Sequence, residues 1–185
     1  MIDETLFEAE EKMEKAVEVA KERFSGIRTG RAHPGMFQKL LVDYYGAPTP
    51  LQQLASFQNP EARTIIISPF DKGSMHAIEK AIQQADLGIN PSNDGNIIRC
   101  VMPQLTEERR KEYIKMARHE GEEARVSIRN IRRHAKDAIE KLVKDGEVGE
   151  DDGTRGEKEL EGLTKKFVEQ IDEGLKLKEA ELLEV

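Results

Sequence analysis

Between Thr106 and Gly146 the chain carries one unbroken helical pattern. Ile114, Ala117, Gly121, Ala124, Ile128, Ile131, Ala135, Ala138 and Leu142 recur at alternating spacings of three and four. That repeat holds a single apolar seam toward neighbouring helices. Thr106 stands as the N-cap, Glu107 and Glu108 fill the first turn, and Lys144 and Gly146 mark the stop. A helix of roughly 40 residues is about 60 Å long. A compact chain of this length would be only about 40 Å across. The molecule is therefore expected to be elongated, and the seam needs partners of similar length.

Two segments supply them. From about Asp3 to Arg28, Leu6, Met13, Val17, Ala20, Phe24 and Ile27 recur at three, four or seven. After the link "EVGEDDGTRG", Leu160, Leu163, Phe167, Ile171, Leu175 and Leu182 line a third helix running to the C-terminus. Between the first two helices the pattern changes. "KLLVDYY", "LQQLASFQ", "ARTIIISPF" and "NIIRCVMP" read as strands. "SMHAIEKAIQQADLG" reads as one helix, with Ser74 as N-cap and Gly88 as stop. This small sheet with one helix is reached through "RTGRAHPG" and left through "VMPQLTEE". Both crossings are broken by Gly or Pro, which makes a two-strand hinge.

Composition excludes several classes. The chain has no Trp and 5% aromatics, which suits helices zipped by Leu, Ile, Val and Ala. No apolar run is long enough to span a bilayer, and the acidic "MIDETLFEAEEK" is unlike a secretory signal. The lone Cys100 excludes an internal disulfide, fits a reducing cytosol and reads as a small buried strand residue. There is no nucleophile elbow, no phosphate-binding glycine loop and no metal-ligand spacing among His33, His76, His119 and His134. Asp151 and Asp152 read as a solvated turn. The expectation is a protein with no catalytic residues, no metal and no cofactor.

One feature remains. The formal charge is -7 overall, yet residues 105–145 carry +3 while residues 1–27 carry -4 and 146–185 carry -7. Within the basic segment, Arg118, Arg125, Arg129, Arg132 and Lys136 lie on one face of the long helix. Two readings stand. The stripe pairs with acids of the flanking helices, or it meets the phosphates of a structured RNA. The dominance of Arg, whose planar fork suits phosphate, favours the second, as do Arg28 and Arg31 at the end of helix one. With little aromatic interleaving, single-strand stacking is not expected. Tyr44 and Tyr45, adjacent on a strand, are expected to point to opposite faces, one packed and one exposed.

The segments "IRTGRAHP" (27–34), "VDYYGAPTPLQQLAS" (42–56), "ISPFDKGSMHAIEKAI" (67–82), "DLGINPSNDGNIIR" (86–99), "LTEERRKEYIKMAR" (105–118), "ARVSIRNIRRHAKD" (124–137) and "KEAELLEV" (178–185) together resemble the bacterial ribosome recycling factors. The resemblance covers nearly the whole chain, and "YYGAPTPL" and "LTEERRK" carry most of its specificity. It implies a translation factor that, with elongation factor G and GTP, splits the post-termination ribosome into subunits. It further implies that the bundle lies on large-subunit rRNA, while the small domain meets the GTPase and turns about the hinge. By motif, Arg129, Arg132 and Arg133 of "RNIRR" and Arg28, Gly30 and Arg31 of "IRTGR" look like rRNA contacts; the stripe adds Arg125 and Lys136. The chain departs from the family at His134, where an acid is frequent, and at Gln104, where a second Pro is frequent.

The combined expectation is an α+β, L-shaped protein. Residues 1–29 and 106–185 form an elongated three-helix bundle, and residues 30–105 form an inserted α/β domain. The hinge consists of Thr29, Gly30 and Arg31 with Pro103, Gln104 and Leu105. The protein is expected to be a cytoplasmic bacterial monomer whose partners are the ribosome's large subunit and elongation factor G, with no membrane. Two rivals are a coiled-coil adaptor with an exposed seam, and a detached RNA-binding arm of a larger enzyme.

Overall fold

The computed structural model describes residues 1–184. The chain divides into two compact units, Met1–Thr29 with Glu107–Glu184, and Gly30–Thr106. The first unit is a bundle of α1 (Ile2–Ser25), α3 (Glu107–Lys144) and α4 (Glu150–Leu183). The second holds strands β1 (Leu41–Tyr44), β2 (Ala47–Pro50), β3 (Ala55–Glu61), β4 (Thr64–Pro69), β5 (Asn90–Asn93) and β6 (Ile98–Val101). Helix α2 (Met75–Gln84) lies between β4 and β5 in sequence.

In the bundle the apolar stripes meet as the periodicity predicts. Leu6, Met13, Val17, Ala20, Phe24 and Ile27 of the first segment are all buried. Phe24 lies against Gly121 of α3 and Gly174 of α4, while Gly156 of α4 lies against both Ile2 of α1 and Ile139 of α3. So α3 runs antiparallel to both α1 and α4. Each helix carries acids in its first turn, at the positive end of its dipole: Asp3 and Glu4, Glu107 and Glu108, and Glu150 to Asp152.

Two details of the bundle depart from the sequence expectation. The seam of α3 passes from Ala135 to the buried Ile139, and Ala138 is exposed. A helix of 3.6 residues per turn drifts by about 20° per heptad against a strict 3.5 repeat, so by the last turns the inward position has moved on by one. The expected link also shortens. α4 starts at Glu150, and Gly153 and Gly156 lie inside it, buried. Both allow close helix contact. A Cβ on Gly153 would lie 2.5 Å from Val143 Cγ2, and one on Gly156 2.8 Å from Ile2 Cγ2. Gly162 of the same helix is exposed, with open space where a Cβ would go. Gly153→Ala is expected to lose roughly 1–2 kcal/mol, overpacking outweighing the helix propensity gained. Gly162→Ala should gain up to about 1 kcal/mol. Urea unfolding of both variants checks the contrast; equal effects would mean Gly153 is not a packing glycine.

In the second unit, β1 and β2 form a hairpin and β3-β4-β6-β5 an antiparallel sheet. Ile65 and Ile67 of β4, Ile98 and Cys100 of β6, and Met75, Ile78 and Ile82 of α2 share its core. Burial pushes the Cys100 thiol up to about 11, the setting of an inert cysteine. The hairpin turns on Tyr45 and Gly46, both at positive φ, the backbone of a two-residue turn matched to strand twist. β2, β5 and this turn fall in stretches that read as loops. "LQQLASFQ" divides into a short 3-10 turn at Leu51–Gln53 and β3. Ser74 takes the N-cap position of α2, but its side chain makes no capping bond. Asp71 instead accepts from Gly73 N and caps the 3-10 turn ahead of it, and Ser74 Oγ donates to the Asp71 carbonyl. α2 ends at Gln84, short of Gly88.

Tyr44 is half-buried and Tyr45 78% exposed, but they do not point apart. The positive φ at Tyr45 breaks strand alternation, and both hydroxyls donate to Asp71 Oδ2, at 3.1 and 3.0 Å. The Gly73 amide first, then Tyr45 and Tyr44, hold the Asp71 carboxyl below its usual range. A depressed folded pKa stabilises above the unfolded value of 3.8 and loses that contribution as pH falls toward the folded one. Asp71→Asn is therefore expected to flatten the acid side of the unit's stability profile, read as urea midpoint against pH. An unchanged profile would remove Asp71 from the acid response.

Candidate nucleic-acid interface

Each basic residue of the stripe lies on α3, about a quarter-turn from the buried seam. On one side the stripe borders α4. There Arg118 Nε donates to Glu179 Oε1 at 2.7 Å, and Arg125 donates through Nε and Nη2 to Asp172 Oδ1, also at 2.7 Å. Arg125 meets Glu122 as well, at 3.0 Å, and its side chain is only 20% exposed. Desolvation alone would lower its pKa, but the bonds to Asp172 and Glu122 outweigh it and raise the value. Arg125 is thus drawn into the bundle, as the ion-pair reading of the stripe has it. Arg129 reaches Glu122 at a long 3.4 Å, and Lys136 meets Glu140 at 3.8 Å within its own helix. These are exposed pairs of small worth, readily exchanged for a stronger anion.

Arg132 and Arg133 differ. Neither makes an ion pair or hydrogen bond among the described residues; Arg132 is half-buried and Arg133 exposed. The stripe therefore divides along its length. Its N-terminal part is neutralised by α4, and its C-terminal part, Arg129 to Lys136, presents cationic side chains outward. His134 is exposed beside them, so no carboxylate follows Arg133.

Arg28 and Arg31 are exposed, one in each unit. Gly30 between them is buried at φ +77, where L side chains are strained, and Leu105 Cγ lies 3.4 Å from where its Cβ would be. The chain passes between the units at Thr29–Gly30 and again at Thr106–Glu107. Just inside the second unit both passages are pinned to the β3–β4 turn. Ala32 N donates to Ala62 O, Met102 N to Arg63 O, and Asn59 Nδ2 to Ala32 O. Of the remaining crossing residues, Thr29 and Leu105 are half-buried, and Pro103 and Gln104 exposed. The two backbone pins leave no mark in residue type, and a lone Asn such as Asn59 does not announce its partner.

Among the described residues no group of three or more His, Cys, Asp or Glu is placed to hold a metal ion. No helix there is long and apolar enough to cross a membrane.

The family model described as "Ribosome recycling factor" matches residues 20–183. A ribosome-recycling factor of Acidothermus cellulolyticus is 69% identical over 185 residues, and one of Renibacterium salmoninarum 67%; in both, the whole of each chain is covered. Among solved structures, the solution structure of a ribosome recycling factor superimposes with a TM-score of 0.79 at 40% identity. It covers 100% of this chain and 98% of that one. Another structure places the T. thermophilus ribosome recycling factor, with the E. coli elongation factor G, on the E. coli post-termination complex. It matches at a TM-score of 0.67 and 42% identity, with both chains fully covered. Two compact units, a three-helix bundle interrupted by a small sheet domain, and relationship along the full length converge on one assignment: the chain belongs to the ribosome recycling factor family.

Proposed function

We propose that this protein disassembles the post-termination ribosome into subunits together with elongation factor G and GTP, and that it grips large-subunit rRNA through α3. The observation that carries this reading is the full-length relationship to a recycling factor placed with elongation factor G on the post-termination complex. The family is one of translation factors without catalysis of their own, so hydrolysis belongs to the GTPase.

The rRNA face is centred on Arg129, Arg132, Arg133 and Lys136; Arg28, Gly30 and Arg31 are further rRNA contacts that the family motif implies, where the chain leaves α1. Arg125 orders the face from behind, through Asp172 and Glu122. Guanidinium groups suit phosphate because their planar forks donate two parallel bonds to its oxygens. The acidic remainder of the chain limits unspecific attachment to bulk RNA. The two crossings, Thr29 to Arg31 and Pro103 to Leu105, serve as the hinge about which the sheet unit moves when the GTPase acts. The protein works in the cytoplasm as a monomer.

The test is subunit splitting followed by light scattering, with post-termination ribosomes, elongation factor G and GTP. Wild type is expected to split them. Arg132→Ala should be impaired roughly 10-fold, with a salt dependence of binding shallower by about one in log–log slope. If neither protein splits ribosomes with a cognate GTPase, the recycling reading fails. If both split equally, recycling stands and the Arg132 face is not the anchor.

A further inference from the structure

Arg118 pairs with Glu179, and Arg125 with Asp172. The step is seven residues on α3 and seven on the antiparallel α4, so the two pairs are successive rungs of one ladder between the helices. One step further, the same register sets Arg132 opposite Lys165. Two rungs join opposite charges; the third faces a cation with a cation. Lys165 is exposed, and it makes no ion pair or hydrogen bond among the described residues, just as Arg132 makes none. Glu161 and Glu169 flank Lys165 one turn away on either side, and neither is within ion-pair distance of Arg132. A ladder built for bundle stability alone would continue with an acid at this position. Like charges face to face are mildly destabilising instead.

We propose that Arg132 and Lys165 form a phosphate clamp across α3 and α4, with one backbone phosphate of duplex rRNA bridging the third rung. The bridging group supplies the negative charge that Glu179 and Asp172 supply at the first two. The Arg132 fork takes two phosphate oxygens, and the Lys165 ammonium adds a point charge from the other helix. The inference rests on the rRNA reading of the Arg132 face. It adds a residue from a second helix, so that the anchor reports on bundle packing as well as on α3.

Wild type, Lys165→Ala, Lys165→Glu, Lys166→Ala and Arg132→Ala are titrated with large ribosomal subunits and with protein-free large-subunit rRNA, from 50 to 200 mM salt. The melting temperature of each is measured in parallel. Lys166 is the control. It carries the same charge but is turned into the groove with α1, beside Asp3 and Glu10. Lys165→Ala is expected to bind roughly 10-fold more weakly on both probes. It should also lose about 3-fold less affinity across the salt range, the effect of one phosphate contact. Lys166→Ala should change binding less than about 2-fold, since long-range charge is screened. Lys165→Glu extends the ion-pair ladder by a rung, so its melting temperature should hold or rise while binding falls further.

Equal effects of Lys165→Ala and Lys166→Ala overturn the clamp, as does a lowered melting temperature for Lys165→Glu. A loss seen on intact subunits but absent on protein-free rRNA also overturns it, and assigns the rung to a protein carboxylate. If Arg132→Ala is silent too, the underlying rRNA reading has failed. If Arg132→Ala weakens binding and Lys165→Ala does not, only the clamp has.

Discussion

Phe24→Ala should cost the bundle about 3–5 kcal/mol, the upper range for truncating a buried aromatic. The ring lies where α3 and α4 both present glycine. A Cβ added to Gly174 would sit 3.3 Å from Phe24 Cε2, and one added to Gly121 would sit 3.7 Å from Cζ. No side chain on either glycine can relax into the space once the ring is gone, so the cavity stays open. Against a total of about 5–15 kcal/mol for a typical domain, this is a large fraction. Urea unfolding followed by helical circular dichroism measures it. Gly174→Ala in the Phe24→Ala background should recover part of the loss, because the new methyl enters the vacated volume. A loss below about 1.5 kcal/mol would mean that the three helices close over the gap and that this contact does not set their spacing.

The double reversal Arg132→Glu with Arg133→Glu should reduce affinity for large subunits by on the order of 100-fold at moderate salt. That corresponds to two charge-assisted contacts of roughly 1.4 kcal/mol each. The log–log salt slope should become shallower by about two. Because neither arginine is ion-paired among the described residues, the reversal breaks no bond within the protein, and its melting temperature is expected to hold. The parallel reversal Arg118→Glu with Arg125→Glu is the converse case. It sets carboxylates against Glu179 and Asp172, so it should destabilise the bundle before it affects binding. If the two doubles behave alike, the division of the stripe into a structural and an RNA-facing part is wrong.

The bundle was legible because its cause is periodic. Apolar residues at three and four recur over tens of positions, and a single misassigned residue such as Ala138 does not change the answer. The sheet unit was legible best where its strands carry apolar residues. β4 announces itself through Ile65 to Ile67. β5, "NPSN", pairs with β6 along one side only, and an edge strand held by backbone bonds needs no apolar residue. Tyr45 misled because its backbone leaves strand geometry at the turn, which residue type does not record. At the site, residue type identified the arginines but not their fates. Arg125 and Arg132 share a face and differ because Arg125 meets Asp172, whereas Arg132 makes no ion pair among the described residues, and residue type alone does not record which residue of a helix far off in sequence comes opposite. Family resemblance suggested the rRNA roles proposed for Arg129, Arg132 and Arg133, which spacing alone left open.

The bundle is assembled from both ends of the chain, and this orders its birth. During synthesis α1 is complete at Ser25, whereas α4 ends only at Leu183. At about 5–20 residues per second the interval is roughly 10–30 s. Until α3 is complete at Lys144, the stripe from Leu6 to Phe24 has no partner helix to cover it. Residues 30–106 have their own core and can fold while the nascent helix waits. The excess of acid over base in residues 1–27 gives an orphan amphipathic helix at that stage a net negative charge, which favours water over the anionic surface of a ribosome until the remaining two helices arrive.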